Sequence, residues 1–335
     1  MRLPGTPGKP EMAAGGAADF HFFHVILIWS GQTTKARSDM LSGLPALVLT
    51  YPEIDPVIFA IGPFALRWYA VAYIAGIVLG WWWIVRLLRN ATLWQSPTFG
   101  GKAPLKPVDA DDFIVWATIG IILGGRIGYV LFYGLIYQTE TYLNPINWLL
   151  IWEGGMSFHG GFIGVVLAVI WFSRRRGIDM LRFGDLMAAV APIGLFFGRV
   201  ANFINGELYG RVTESPLGMV FPVNGAGALP RHPSQLYEAF LEGIVLFVVI
   251  GVLIARFRLL ERRGGAIAIF IGGYGIARAI VEYFFRDSDQ MVSLSLNLSM
   301  GTLLSLPMMV AGLLFWVYGP RGSVPVAKPA ARKKK

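Results

Sequence analysis

Residues 236–254 read LYEAFLEGIVLFVVIGVLI, and this stretch decides what kind of fold the chain can adopt. Apart from Glu238 and Glu242 near its start, its side chains are almost all aliphatic or aromatic. At a rise of about 1.5 Å per residue, a helix of this length covers the ~30 Å hydrocarbon core of a bilayer. The stretch therefore predicts a transmembrane helix with two carboxyl groups that need partners.

Six further stretches have the same character, and the seven together predict an all-α fold, a polytopic integral membrane helical bundle. Hydrophobic residues make up 55% of the 335 residues and charged residues only 15%. Ordinary soluble domains carry about 25% charged residues, and a mean hydropathy of +0.57 also argues against a soluble globule. The predicted spans cover residues 64–85, 113–136, 157–172, 186–204, 236–254, 266–285 and 298–318, the third being the shortest.

The loops between these spans alternate in basic content, and loops rich in Lys and Arg face the cytoplasm. One side, with the C-terminal tail, carries eighteen Lys and Arg residues; the other carries Arg67, Arg211, Arg231 and Arg286. This asymmetry predicts seven spans with the N-terminus outside and the C-terminus in the cytoplasm. It also explains the formal net charge of +9 without a nucleic-acid partner, because the basic segments would meet anionic lipid headgroups.

Three parts of the chain are distinguished by composition. Residues 1–50 are rich in Gly, Ala and Pro, and we predict a disordered N-terminal extension with the natural start near Met40. Residues 51–319 hold the seven spans, and residues 320–335 form a basic cytoplasmic tail. The chain has no cysteine and only four histidines, and no glycine-rich phosphate loop follows a strand, so neither a metal nor a cofactor is expected.

Glycines recur four positions apart within several predicted spans, a spacing that lets helix backbones approach closely in lipid. We interpret this pattern as structural. No internal repeat relates the two halves of the chain, which argues against a transporter. The glycines are Gly76 and Gly80; Gly120, Gly124 and Gly128; Gly160 and Gly164; and Gly194 and Gly198.

Charged side chains inside the spans need a partner or a function, because each costs about 2.5 kcal/mol or more in lipid. One interpretation of the buried arginines is structural, with ion pairs to Glu238, Glu242 or Glu282. The other is that free guanidinium edges bind an anion, since the planar fork matches phosphate oxygens. The arginines are Arg126, Arg199 and Arg278, the last lying four residues before Glu282 and so on the same helix face.

The densest polar cluster is GRVANFINGELYG, residues 198–210, at the predicted outer end of the fourth span. Arg199, Asn202 and Asn205 fall at helical spacing on one side of that helix. A phosphate headgroup would lie at this depth. Asn side chains can donate to ester or hydroxyl oxygens, and Glu207 can orient a guanidinium or accept from a hydroxyl. The cluster therefore predicts a headgroup-binding site.

Histidine and tyrosine supply the candidate proton-transfer groups. A lone histidine is more often structural, but His159 stands beside glycines in GGMSFHGG, residues 154–161, where a substrate could reach it. Histidine as a residue type suits proton transfer near neutrality. His232 is flanked by prolines that favour a turn or capping role. Tyr69 opens the first span, either in the interfacial aromatic belt or in contact with substrate.

The sequence closely resembles the bacterial prolipoprotein diacylglyceryl transferase family across residues 51–318. The resemblance implies a catalytic domain at 51–319 in the bacterial cytoplasmic (inner) membrane. It also implies transfer of a diacylglyceryl group from phosphatidylglycerol to the lipobox cysteine thiol of a prolipoprotein signal peptide, with release of glycerol phosphate. The motifs that carry it are DPVIFAIGP (55–63), GGRIGYV (124–130), GGMSFHGG (154–161), GRVANFINGELYG (198–210), RHPSQLYE (231–238) and GYGIAR (273–278).

The same resemblance implies roles for individual residues. No role is carried over to Arg286, because the stretch 281–286 is one residue longer than the family pattern. Positions tied to activity in the family match His159, Arg199, Asn202, Gly210, Arg278 and Tyr69. Positions that line or brace the family's site match Arg126, Glu207, Tyr274 and Glu282.

We expect Arg199 and Arg278 to bind the lipid phosphate and His159 to accept the thiol proton, with Tyr69 as the alternative proton acceptor. The site is expected toward the outer leaflet, with both substrates entering sideways from the bilayer. A transporter or channel for an anionic solute would instead need a polar route on both membrane faces. A phospholipid acyltransferase would share the headgroup site but give a product of different mass.

Overall fold

A computed structural model describes residues 49–52, 54–62, 64–151, 154–221, 225–287, 291–293 and 298–320. The predicted N-terminal extension, apart from its last two residues, and nearly all of the basic tail lie outside these residues. In the described part the chain is mostly helical, as the sequence predicts. Seven long helices follow one another: α1 (Trp68–Arg89), α2 (Pro107–Tyr137), α3 (Phe158–Arg176), α4 (Met180–Ile204), α5 (Ser234–Phe257), α6 (Gly265–Phe284) and α7 (Met300–Tyr318).

Six of these helices, all except α3, are long and apolar enough to cross a membrane. The helix α3 is present where the third span is predicted, and it has 19 residues. Its apolar part is shorter, because its first turn contains a histidine and two glycines and it ends with Arg174, Arg175 and Arg176. A multi-pass membrane protein is therefore the description that these helices support.

Short strands replace helix at two predicted span boundaries. The first span was predicted from residue 64, but Phe64–Arg67 is strand β3, which pairs antiparallel with β2 (Val57–Ile61), and α1 begins only at Trp68. The turn between them contains Gly62 in the left-handed region, with φ of 58°, which suits glycine. The remaining strands are β1 (Leu49–Thr50) paired with β4 (Met219–Val220), and β5 (Met291–Ser293) paired with β6 (Leu298–Ser299).

The last span likewise starts later than predicted, at Met300 instead of residue 298. Ser299 is the N-cap residue of α7, and its hydroxyl accepts a hydrogen bond from the Thr302 amide at 3.2 Å. Such a cap satisfies one of the free amides at a helix start. The cap places Ser299 next to Glu282 near the end of α6, and its hydroxyl donates to that carboxylate at 2.9 Å.

The described residues divide into two compact units. The smaller comprises residues 115–168, and in it the glycines of α2 and α3 face each other. A Cβ added to Gly160 would lie 2.9 Å from the Gly128 Cα, and one added to Gly128 would lie 2.7 Å from the Gly160 Cα. The predicted close helix approach is thus confirmed for this pair of helices.

The larger unit comprises the described residues of 49–114 and 169–320. Within it α1 packs on α4, α4 on α5, and α6 on both α4 and α7. Gly76 faces Gly194, because a Cβ on Gly76 would lie 3.1 Å from the Gly194 Cα. Gly198 is different: a Cβ there would meet nothing within 4 Å, so close packing does not explain that glycine.

Two local features of the larger unit position polar side chains. The helix α4 ends at Ile204, and Gly206 follows in the left-handed region with φ of 68°, which turns the chain out of the helix. The helix α5 contains a π-helical segment, Ala239–Val245, directly after Glu238. Such segments rotate the side chains that follow relative to a regular helix and are frequent at functional sites.

Candidate active site

Three arginines and three glutamates form one ion-pair network in the larger unit. Arg199 comes from α4, Glu238 and Glu242 from α5, Arg278 and Glu282 from α6, and Arg286 from the segment just after α6. Opposite charges are equal in number, so the network is neutral as a whole. Four segments of the chain are joined by it.

Glu238 is the centre of this network. Its Oε2 lies 3.1 Å from Arg199 Nη1, and its Oε1 accepts from both Arg278 Nη1 and Arg286 Nη1, the latter at 2.9 Å. Glu242 Oε2 accepts from Arg199 Nε at 3.0 Å. One carboxylate therefore shares its charge among three guanidinium groups.

Glu282 closes the network on the other side. Its Oε2 lies 2.8 Å from Arg278 Nη2 and 3.6 Å from Arg286 Nε. The predicted pairing of Arg278 with Glu282, four residues apart on one helix, is confirmed. The structural interpretation of the buried arginines, ion pairs with these glutamates, is also confirmed for Arg199 and Arg278.

Burial differs between the two signs of charge. The side chains of Glu238 and Glu242 are fully buried, whereas those of Arg199 and Arg278 keep 15% and 17% of their surface exposed. The glutamate side chains are therefore more deeply buried than the arginine side chains that pair with them.

A second polar group lies at the junction of α1 with the end of α4. The Tyr69 hydroxyl donates to Glu207 Oε1. The Asn202 amide donates to the Tyr69 oxygen and to the same Glu207 oxygen, the latter at 2.7 Å. Three residues singled out from the sequence are therefore in direct contact, and Glu207 accepts from a hydroxyl of the protein itself.

The other predicted residues of this unit have different surroundings. Asn205 is the C-cap residue of α4. Gly210 is buried, and an added Cβ would lie 2.8 Å from the His232 Cβ, so no side chain fits there. Tyr274 stacks on Phe270 at 6.2 Å between ring centroids, four residues before Arg278 on the same helix. The lack of space for a side chain explains the glycine at position 210 by packing, a role that the sequence motif did not indicate.

Arg126 belongs to the smaller unit and holds a loop. Its buried guanidinium donates to four backbone carbonyls, those of Asn147 at 2.6 Å, Trp148 at 3.0 Å, Gly154 at 2.5 Å and Gly155 at 3.1 Å. These contacts occupy most of its donors. They fit the bracing role that the family resemblance implies better than the binding of an anion.

His159 also belongs to the smaller unit, near the start of α3. Its side chain is exposed, and its ring meets the Phe158 ring edge-on at 5.8 Å. Ser157 precedes it and caps the helix, since its hydroxyl accepts from the Gly160 amide at 3.3 Å. The imidazole is thus accessible and stands at a fixed helix start.

Groups with shifted pKa values outside the spans include His232, Tyr51 and Arg286. Burial lowers the pKa of His232, whose Nδ1 lies 3.2 Å from the Tyr237 hydroxyl, in keeping with a structural role. Burial raises the pKa of Tyr51, whose hydroxyl donates to the Phe203 and Ile204 carbonyls. Burial also lowers the pKa of Arg286, and the Glu238 charge opposes that shift.

Arg286 is the site residue that sequence reasoning missed. Its guanidinium contacts the same two glutamates as Arg278, although no role was assigned to it. Its spacing of eight residues from Arg278, about two helical turns, was the available signal. Among the described residues, no group of three His, Cys, Asp or Glu side chains is placed to hold a metal ion.

Comparisons with known proteins show the family to which the chain belongs. Residues 56–318 match the family model described as prolipoprotein diacylglyceryl transferase. A phosphatidylglycerol–prolipoprotein diacylglyceryl transferase of Bradyrhizobium diazoefficiens is 51% identical over 284 residues, covering 84% of this chain and 97% of that protein. The proteins of the same name from Rhizobium meliloti and Caulobacter vibrioides are 52% and 49% identical, covering 79% and 80% of this chain and 92% and 94% of those proteins.

Proposed function

Since the chain belongs to the prolipoprotein diacylglyceryl transferase family, we propose that it catalyses the first step of bacterial lipoprotein maturation. The diacylglyceryl group of phosphatidylglycerol is transferred to the lipobox cysteine thiol of a prolipoprotein. A carbon–sulfur bond forms at the glyceryl carbon, the bond from that carbon to the phosphate oxygen breaks, and glycerol phosphate leaves. The enzyme is a transferase.

The observation that carries this proposal is the pairing of partly exposed arginine side chains with fully buried carboxylates. Glu238 contacts Arg199, Arg278 and Arg286 at once. When a lipid phosphate approaches, Arg199 and Arg278 can turn toward it while Glu238 keeps Arg286 as a partner. Leaving Glu238 buried without a partner would be costly. The shared carboxylate therefore lets two arginines bind the phosphate without that cost.

The same arginines favour the chemical step. As the carbon–oxygen bond breaks, the departing phosphate gains negative charge. Guanidinium groups already aimed at it bind the transition state more tightly than the ground state. Arg199 and Arg278 are therefore the residues that stabilise the leaving group. Glu242 and Glu282 keep Arg199 and Arg278 in position while Glu238 releases them to the phosphate.

The attacking sulfur must lose its proton to become a thiolate. His159 accepts that proton, because it is exposed at a capped helix start and an imidazole nitrogen can accept a proton. Tyr69, held by Glu207 and Asn202, orients the lipid or the incoming sulfur. The proton balance is then complete: the thiol proton passes to His159 and the electron pair of the broken bond leaves with glycerol phosphate.

The membrane arrangement completes the proposal. Seven helices, α3 included, cross the bacterial inner membrane, with the N-terminus outside and the C-terminus in the cytoplasm. The polar cluster of 198–210 then lies toward the outer leaflet, where a translocated signal peptide presents its lipobox. Two amphipathic substrates reach the site laterally from the bilayer.

The test is to incubate the purified protein with phosphatidylglycerol and a lipobox peptide and to weigh the peptide. We expect a mass gain of one diacylglyceryl group and stoichiometric release of glycerol phosphate. A peptide with serine in place of its cysteine, and phosphatidylcholine in place of phosphatidylglycerol, serve as controls. A peptide that gains a single acyl chain, or no mass at all, would overturn the proposal.

A further inference from the structure

The segment after α6 is held by contacts to residues outside the ion-pair network. Asp287 directly follows Arg286, and its Oδ2 lies 2.6 Å from Arg231 Nη1. The Arg231 side chain is only 14% exposed, whereas that of Asp287 is 48% exposed. Because the Asp287 carboxylate is half exposed, solvent screens this pair, and screened pairs contribute little to stability, typically about 0.2–1 kcal/mol. Stability is therefore a weak reason for this pair.

Arg231 connects Asp287 to two other segments. Its Nε donates to the Ala226 carbonyl at 2.6 Å, and its Nη1 also donates to the Gly210 carbonyl at 3.1 Å. Its own backbone amide and carbonyl both pair with Met219 at 2.9 Å. These contacts fix the position of the Arg231 guanidinium. The ion pair with it then restrains Asp287.

The loop between α4 and α5 also holds the backbone around Arg286. The Arg211 amide donates to the Phe285 carbonyl at 2.8 Å, and Arg211 Nε donates to the Arg286 carbonyl at 2.7 Å. Gly210, which accepts from Arg231, forms a bridge with Arg286. Contacts therefore flank Arg286 on both sides, while its side chain turns inward to Glu238 and Glu282.

We infer that Arg231 and Asp287 are positioning residues that hold Arg286 as the standby partner of Glu238 while Arg199 and Arg278 bind the anionic lipid. The inference rests on the proposed function, in which those two arginines turn to a phosphate. Without the tether the Arg286 side chain spends less time on Glu238. Glu238 then competes harder with the phosphate for Arg199 and Arg278, so lipid binding weakens while the chemical step is little changed.

The test compares Asp287→Asn, which removes the charge at nearly constant shape, with Asp287→Glu, which keeps it. The full-length protein is studied in mixed micelles of phosphatidylglycerol and phosphatidylcholine. Binding is read from the mole fraction of phosphatidylglycerol that gives half of the maximal thermal shift, and KM and kcat are measured with a saturating lipobox peptide. The matched control is Glu214→Gln, which changes an exposed carboxylate in the loop between α4 and α5.

We expect Asp287→Asn to raise both the half-saturating mole fraction and KM about two- to five-fold, the range of an exposed pair, with kcat within about two-fold. Asp287→Glu and Glu214→Gln should match the wild type. Unchanged binding in Asp287→Asn would overturn the inference, as would a parallel fall of kcat and thermal stability that Asp287→Glu does not rescue. A wild type that binds lipid but transfers nothing would overturn the proposed function alone, since the binding measurement still tests the tether.

Discussion

Glu238 pairs with more guanidinium groups than either of the other two glutamates of the network. It is fully buried, and it contacts the guanidinium groups of Arg199, Arg278 and Arg286. Breaking a buried ion pair by removing one partner leaves a buried charge without compensation. The three arginines would then share only Glu242 and Glu282. We therefore expect loss of the Glu238 charge to lower both the free energy of unfolding and the rate of transfer.

Glu238→Gln keeps the side-chain shape and removes its charge. We expect it to destabilise the protein by about 3 kcal/mol, within the range for a broken buried pair. We also expect it to slow transfer at least ten-fold, as the guanidinium groups repel one another. Thermal unfolding in mild detergent and the peptide mass assay measure the two effects. The control is Glu261→Gln, whose carboxylate pairs with the exposed Arg258 at 3.1 Å. Equal effects in both variants would refute the central role of Glu238.

Arg199 makes contacts that a single ammonium group cannot reproduce. Its Nε and Nη1 point to two different glutamates, at 3.0 and 3.1 Å. Arg199→Lys keeps the positive charge but loses the planar fork, so the phosphate would lose a preorganised donor. We expect transfer to fall about 100-fold, the usual cost of removing one such donor. Arg256→Lys, at the exposed end of α5, is the control and should keep its rate; near-normal activity of Arg199→Lys would exclude a leaving-group role.

At the level of helices, the packing of α2 on α3 depends on glycine. Each helix places glycines four residues apart at the contact, and the Cα atoms of one face the backbone of the other. Because helices in lipid gain little from apolar burial, close van der Waals contact is the main attraction between them. A single methyl group in this contact must push the helices apart.

Gly160→Ala places a methyl group 2.9 Å from the Gly128 Cα. Overpacking of this kind costs about 1–3 kcal/mol, and we expect a lower unfolding temperature in mild detergent. Gly251→Ala in α5 is the matched control, since a Cβ there meets nothing within 4 Å. Alanine should be neutral or slightly stabilising at that position because it favours helix. If both variants unfold at the same temperature, the glycine contact does not determine helix packing.

The helices could be predicted from the sequence, whereas their ends could not be predicted well. Apolar stretches marked each long helix, but an apolar run cannot distinguish strand from helix near a turn. For that reason Phe64–Arg67 was assigned to the first span although it forms β3. The Arg278 and Glu282 pair followed from helical spacing. Spacing from Arg278 was the one local signal for Arg286, and its contact with Glu238, 48 residues away, depends on how α5 and α6 pack.

At the scale of the whole molecule, the distribution of basic residues predicts the orientation of the protein in the membrane. Arg86 and Arg89 end α1, Arg174 to Arg176 end α3, and Arg256 lies in the last turn of α5. Basic helix ends on one side are the pattern that keeps loops in the cytoplasm. The prediction requires α3 to cross the membrane, although its hydropathy is lower than that of the other six long helices. Whether α3 crosses the membrane is therefore the point to test.

The absence of cysteine from the sequence makes that test direct, since one introduced cysteine is the only thiol. Glu140 and Leu217, before α3 and after α4, are exposed, as are Gln95 and Arg174 on the basic side. In intact spheroplasts a membrane-impermeant maleimide should label Glu140→Cys and Leu217→Cys, and label Gln95→Cys and Arg174→Cys only after permeabilisation. If α3 did not cross, the cysteines at 140 and 174 would react from the same side. Reversed labelling of all four would instead keep seven spans and invert the orientation, placing the arginine cluster in the wrong leaflet for a translocated lipobox.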